Sequence, residues 1–365
     1  MDKFAFIIHP IAIDDYYRKF PLFKRFPQFM VERVARLIPP MKVSEITGVK
    51  SPYNECRGEF IGCPLTSRLL LELPVEECYR KIIASARLAK RNGARIVGLG
   101  AFTSVVGDAG ITIAKHAGIP VTTGNSYTVY TALEGAKMAA GLMGIDWSQA
   151  NIAVLGATGS IGNVCARLLA REARYLTLIA RQQNKLERLA ARIMYETGVA
   201  ARISSEPREA IKKADVIVSV SSSLDFQIYP EDLKPGAVVC DVARPRDVSP
   251  RVARERDDVL VIEGGVVDVP PGTDFNFDFG FPPGKSYACM AETMILTLEK
   301  RFECYSLGRE IEIEKVEEIA RLAEKHGFKL SGFRSFERTV TPEEINRIRA
   351  AAQKKLNKAT GTLNM

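Results

Sequence analysis

One segment constrains this chain more than any other: NIAVLGATGSIGNVCARLLA, residues 151–170. An apolar run of strand type stops at Gly156, and an amphipathic helical pattern begins a few residues later. Between them Gly156, Gly159 and Gly162 stand in a GxxGxxG spacing. A glycine triplet is weak evidence alone. Set between strand and helix in a βαβ unit, it describes a dinucleotide-binding turn. Gly156 permits the tight turn, Gly159 lets the backbone approach a pyrophosphate, and Gly162 lets helix and strand pack closely. N–H groups at the helix start then face the phosphates, which adds Thr158, Ser160 and Ile161 as candidate cofactor contacts.

The pattern downstream repeats this unit. Strands are expected over 152–155, 175–180, 215–220, 237–241 and 259–263, with helices over 161–171 and 184–196. That alternation predicts a parallel Rossmann-type sheet. The second strand runs out into Arg181, where an NAD enzyme usually carries Asp or Glu. A guanidinium suits a 2′-phosphate, so the expected cofactor is NADPH. The strand expected over 215–220 ends in small residues, 219–223, and Ser221 is a candidate contact to the ribose and nicotinamide.

Before this unit the chain is also α/β. Strands are expected over 4–8, 41–49, 58–63, 95–99 and 120–123, with a helix over 74–92 and a small-residue linking helix over 126–143. A length of 365 residues suits two domains. The expected organisation is an N-terminal α/β substrate domain (1–148), a Rossmann NADP-binding domain (149–300), C-terminal helices packing back (301–333) and a basic helical tail (334–365). No apolar run approaches a membrane span, and Asp2 ahead of the first apolar run reads as the edge of a strand rather than a signal peptide, so a cytoplasmic location is expected. The net charge is +8. It suits an acidic partner but names none, and no nucleic-acid motif accompanies it. The stretch around Phe20–Phe29, with Arg18, Lys19, Lys24 and Arg25, is both aromatic and basic, and fits an anionic carrier protein, a peripheral membrane contact or, equally, a core segment with a basic rim.

Seven cysteines are present without a CxxC, and no metal site is expected. Asp274 and Asp278, four apart, are a pair of the kind that can bind Mg²⁺, but they read as carboxylates of a solvated loop. Cys289 is set apart by its place in GKSYACMAETMILTLEKRF. Ser286 is a candidate N-cap, which puts Cys289 in the first helical turn, where dipole and N–H groups favour thiolate. Lys285 is expected to add to this. A thiolate can take an acyl group as a thioester, a fit acceptor for hydride.

The chain resembles the cyanobacterial long-chain acyl-[acyl-carrier-protein] reductases. The stretches that carry the resemblance are LGAFTSV (Leu99–Val105), TTGNSYTVY (Thr122–Tyr130), VLGATGSIG (Val154–Gly162), EGGVVDV (Glu263–Val269) and YACMAETMILTLE (Tyr287–Glu299). They run collinearly over residues 1–330, while the loop VPPGTDFNFDFGFPPG and the last residues depart from the pattern. The resemblance implies NADPH-dependent reduction of a fatty acyl thioester to fatty aldehyde, with Cys289 as the acylated nucleophile. It also implies acyl carrier protein or acyl-CoA as donor and an aldehyde-consuming enzyme downstream. His9 becomes a candidate proton donor, and Phe102, Thr103, Ser104, Asn125 and Ser126 become candidate substrate contacts. Two other readings stay open. One is a shikimate-dehydrogenase-like oxidoreductase using Lys115 and Asp108. The other is a non-catalytic NADP-binding protein.

Overall fold

The computed structural model describes residues 1–19, 21–221, 226–243 and 246–363. Phe20, Ser222 and Ser223, and the side chains of Arg18 and Lys19, therefore lie outside the described residues. Two compact units are present: Met1–Tyr127 with Val267–Lys329, and Thr128–Val266 with Leu330–Met365.

The first unit holds a five-stranded mixed sheet in the order β2-β3-β1-β4-β5. Its strands are β1 (Asp2–Ile8), β2 (Met41–Lys50), β3 (Glu55–Gly62), β4 (Ile96–Leu99) and β5 (Val121–Thr122). β1 is parallel to β3 and β4, while β2 runs antiparallel to β3. β1 is apolar almost throughout because both its faces are covered. Ala5 and Ile7 join Ile82 and Ala86 of the helix Val75–Arg91 in one core. Strand alternation turns Phe4 and Phe6 to the opposite face. There a Cβ added at Gly98 would lie 2.1 Å from Thr293 Oγ1 of the helix Ala288–Leu298 and 2.5 Å from the Phe6 ring. Glycine at that strand position is what lets the helix sit down on the sheet.

The second unit is a six-stranded sheet in the order β11-β10-β9-β6-β7-β8. The strands are β6 (Asn151–Leu155), β7 (Tyr175–Ile179), β8 (Arg202–Ser204), β9 (Val216–Ser219), β10 (Val238–Asp241) and β11 (Leu260–Glu263). Every pairing is parallel. Two βαβ halves diverge from the β6–β9 neighbours, which is the doubly wound Rossmann order the glycine turn predicts.

The expected boundaries need correction. Residues 149–300 do not form one domain, since the chain returns to the first unit at Val267 and the Cys289 helix stands on the N-terminal sheet. That helix is buried along nearly its whole length and needs cover on several sides. The tail is not a separate appendage either: the helix Pro342–Leu363 belongs to the second unit, with Ile345 and Ala352 buried. Sequence patterning also passes over the short helices Ile13–Lys19 and Gln28–Ala35. Among the described residues no helix is long and apolar enough to cross a membrane.

Candidate functional site

The dinucleotide turn follows β6 directly. Gly156 has φ +84°, a left-handed conformation that favours glycine. Its N–H and that of Ala157 donate to Ile179 O of β7, at 2.9 and 3.1 Å. A Cβ at Gly162 would lie 2.2 Å from Gly156 O, so this glycine serves helix-to-turn packing. Gly159 differs. It is the N-cap of the helix Ser160–Leu169, and a Cβ there would meet only Gly156 O, at 3.3 Å. Its open side leaves room for a phosphate at a helix N-terminus, so the cradle fits a dinucleotide. Thr158, Ser160 and Ile161 are half-buried around it, and Arg181 is exposed just beyond β7. Next to Arg181 a surface hollow of about 400 Å³ is lined by Gln182, Gln183, Asn184, Lys185 and Arg188.

Sequence reading missed one residue here. Asp247 is buried, and its Oδ2 accepts from Ser219 Oγ at 2.5 Å and from Ser221 N–H at 3.2 Å. A Cβ at Gly156 would meet Ser221 Cα at 3.0 Å, so Asp247 holds the segment that backs the glycine turn. Burial, with the Asp241 charge nearby, pushes its carboxyl up to about 7. Nothing local in RPRDVSP signals this, because the partners stand 26 and 28 residues away.

The cysteine site lies in the first unit. Cys289 is the second residue of the helix Ala288–Leu298 and is half-buried. The N-cap is Tyr287, extended at φ −72° and ψ 144°, and not Ser286. Ser286 sits in a short strand, Lys285–Tyr287, buried, with its hydroxyl on Tyr287 O. Lys285 forms an ion pair with Asp268 at 2.7 Å, which offsets the charge expected to act on the thiol. Cys56, Cys63, Cys78, Cys165 and Cys240 are buried. Burial pushes the first four thiols up, Cys63 to about 11 and Cys165 to about 12. Cys289 is half-buried and Cys304 is exposed.

The turn Gly124–Ser126 is brought against Cys289. Gly124 has φ +74°, and a Cβ there would lie 2.3 Å from Cys289 Cα. Glu292, one turn along the cysteine helix, ties the two together. Its Oε1 accepts from the hydroxyls of Thr122 and Ser306, and its Oε2 accepts from Tyr127 N–H at 2.9 Å. Ser126 is fully buried and engaged with Ser306 through N–H and hydroxyl. Asn125 is buried beside it. Ser126 thus belongs to this hydrogen-bond network.

The loop Ala101–Ser104 is likewise self-satisfied. Thr103 and Ser104 donate to Gly100 O and Ala101 O, both at 2.7 Å. Phe102 N–H donates to His9 Nε2 at 3.1 Å, while His9 Nδ1 meets Pro10 O at 3.0 Å. The second contact requires the proton on Nδ1, so the ring is neutral with both nitrogens engaged. Burial drives its pKa down to about 4. The expected proton donor is therefore corrected to a clamp on the Phe102 loop. Asp274 and Asp278 each accept a backbone N–H two residues on, at 2.8 Å. Asp108 caps Thr112 through its N–H and hydroxyl, so it is occupied otherwise than in a pair with Lys115.

The model for the shikimate/quinate 5-dehydrogenase family matches residues 137–263, the nucleotide-binding part of the chain. The long-chain acyl-[acyl-carrier-protein] reductase of Synechococcus elongatus is 32% identical over 305 residues, covering 80% of this chain and 87% of that protein. The chain belongs to this family. The aminotransferase PigE of a Serratia species is 31% identical over 338 residues, 89% of this chain, but the chain spans only 39% of that protein. Among solved structures, the dipicolinate synthase A chain of Bacillus subtilis is 18% identical, covers 72% of this chain and 88% of its own, and has a TM-score of 0.33. The family's cofactor is a nicotinamide dinucleotide, in keeping with NADPH.

Arg181 is the residue that should choose between the two dinucleotides. Arg181→Asp is expected to weaken NADPH binding by at least about tenfold, the loss of one charge-assisted pair, and to leave NADH nearly unchanged. Fluorescence titration with both cofactors checks this, and equal losses would remove Arg181 from the 2′-phosphate.

Proposed function

We propose that the chain reduces fatty acyl thioesters to fatty aldehydes with NADPH, through an acyl group carried on Cys289. The setting of Cys289 carries this reading: a half-buried cysteine in the first turn of a buried helix, held against the Gly124 turn. N–H groups and dipole at that helix start favour the thiolate. Cys289 Sγ adds to the acyl carbonyl, the carbon–sulfur bond to the donor breaks, and the donor leaves as its thiol. The acyl group is then a thioester of Cys289. NADPH, held by the Gly156–Gly162 turn, Ser221 and Arg181, supplies a hydride when bound. Cys289 departs as thiolate when its bond to the reduced carbon breaks, so no side-chain acid is required at that step. A neutral, doubly engaged His9 is compatible with this chemistry.

The loop that departs from the family pattern supports an apolar substrate. Phe275, Phe279, Phe281 and Tyr287 form a continuous run of ring contacts, with centroids 5.0, 5.6 and 4.5 Å apart. The run starts on Phe60 of β3, 6.1 Å from Phe275, and ends at the N-cap of the cysteine helix. We read it as a wall for the acyl chain. The donor would be acyl carrier protein or acyl-CoA, and the product would pass to an aldehyde-consuming enzyme.

Intact-mass measurement with acyl-CoA and acyl-carrier-protein thioesters, without NADPH, tests the covalent step. The protein should gain one acyl group. Adding NADPH should remove it and release an equal amount of aldehyde. Aldehyde formed with no adduct would refute the acyl-cysteine route. NADPH binding without consumption of any thioester would favour the non-catalytic reading.

A further inference from the structure

Residues 22–41 leave an apolar surface open. Of the twenty large apolar side chains exposed among the described residues, seven fall here: Leu22, Phe26, Phe29, Met30, Val34, Leu37 and Met41. Phe29 is 68% exposed and Leu37 79%. The helix Gln28–Ala35 explains how this arises. Val31 and Ala35 point inward onto Tyr16. At 3.6 residues per turn, Phe29, Met30, Val34 and Leu37 spread over an arc of about 140° on the other side, with Arg33 among them. The helix is apolar on both faces, and only one face is spent on the core.

Charge sets the kind of partner. Residues 21–41 contain Lys24, Arg25, Arg33 and Arg36 against one acid, Glu32. Glu32 is buried and paired with Arg68. Arg36 is paired with Glu77, while Lys24, Arg25 and Arg33 are exposed and make no ion pair among the described residues. An acidic protein surface would match the cations but would have to carry an apolar patch of its own across the whole arc to cover the phenylalanines and leucines. A second copy would bring the same cations face to face. An anionic lipid surface satisfies both features, taking the apolar arc below the headgroups and the cations at the phosphates.

We propose that the helix Gln28–Ala35 and its flanks, Leu22 to Leu37, dock the protein peripherally on anionic membranes. The segment lies in the surface phase of the bilayer and does not cross it. Because the side chains concerned are already exposed, replacing them leaves the core intact.

Co-sedimentation with vesicles tests this, using phosphatidylcholine alone and phosphatidylcholine mixed with phosphatidylglycerol. The full chain should pellet with the mixed vesicles and far less with the neutral ones. Phe29→Ser combined with Leu37→Ser should weaken binding at least about tenfold, since two large apolar side chains leave the lipid. Lys24→Glu combined with Arg33→Glu should abolish the preference for anionic vesicles. Unchanged NADPH binding and thermal unfolding in both variants would attribute the losses to the surface. The readout needs no turnover, so it stands or falls separately from the thioester reading. Absence of binding to mixed vesicles would overturn the proposal. So would a dimer in light scattering that the serine variant dissolves, or an acyl carrier protein complex that the serine variant alone removes.

Discussion

Cys289→Ala is expected to bind NADPH as the parent does and to lose aldehyde formation by at least about a thousandfold, the scale on which removal of a covalent nucleophile acts. The two effects separate because the glycine cradle and Cys289 belong to different units of the chain. Cys289→Ser keeps the size of the side chain but replaces a thiolate nucleophile with a hydroxyl, so it should fail almost as completely. Cys304→Ala is the control. That thiol is exposed and outside the helix start, and its loss should leave turnover unchanged. Gas chromatography of the aldehyde, alongside a cofactor titration, reads both properties. Normal turnover in Cys289→Ala, or loss in Cys304→Ala, would move the nucleophile elsewhere.

The cofactor half was legible because its signals are local. A strand, three glycines and a helix follow one another within about twenty residues, and Arg181 follows the end of β7 by two residues. The cysteine half was legible only in part. Local pattern put Cys289 at a helix start, but not on the sheet where that helix rests. The helix is apolar on most sides, and periodicity cannot say which sheet covers such an element. The glycines that admit it, Gly98 and Gly124, lie 191 and 165 positions upstream of Cys289. The roles of single polar residues were hard to read for a related reason. His9, Thr103, Ser104 and Ser126 look reactive in a sequence because they are polar and close to strand ends. In the fold their polar atoms are consumed by hydrogen bonds that hold loops in place. Buried polar groups need partners, and most such residues spend their capacity on that need. Asp247 and Glu292 are the converse. Asp247 stands in no recognisable motif, and Glu292 stands in the matching stretch Tyr287–Glu299 without drawing notice beside Cys289; each organises several distant groups.

Glu292 should show the largest effect on stability. It is fully buried, and donors converge on it: the Thr122 and Ser306 hydroxyls, the Tyr127 N–H and the Gly124 N–H. Burial raises its pKa above the ordinary glutamate range against the pull of these donors. Glu292→Ala removes the shared acceptor of these donors at a buried site, at a cost on the order of 3–5 kcal/mol. Glu292→Gln keeps the volume but has one acceptor oxygen. If that oxygen faces the Tyr127 N–H, the amide NH₂ must face the two hydroxyls, which can rotate but then lose their acceptor. An intermediate cost of about 1–3 kcal/mol is expected. The pH dependence has a definite sign. A carboxyl whose pKa is raised on folding stabilises the fold while both states are protonated. It loses that contribution as pH climbs from the ordinary glutamate value through the raised one. Denaturant unfolding of the parent should therefore weaken over that span, and in Glu292→Gln the decline should flatten. Because Glu292 pins the Gly124 turn to the helix of Cys289, acylation by a thioester should slow in Glu292→Gln while NADPH binding holds. A glutamine variant as stable as the parent, with the same pH slope and the same acylation rate, would mean that the carboxylate does not position the cysteine.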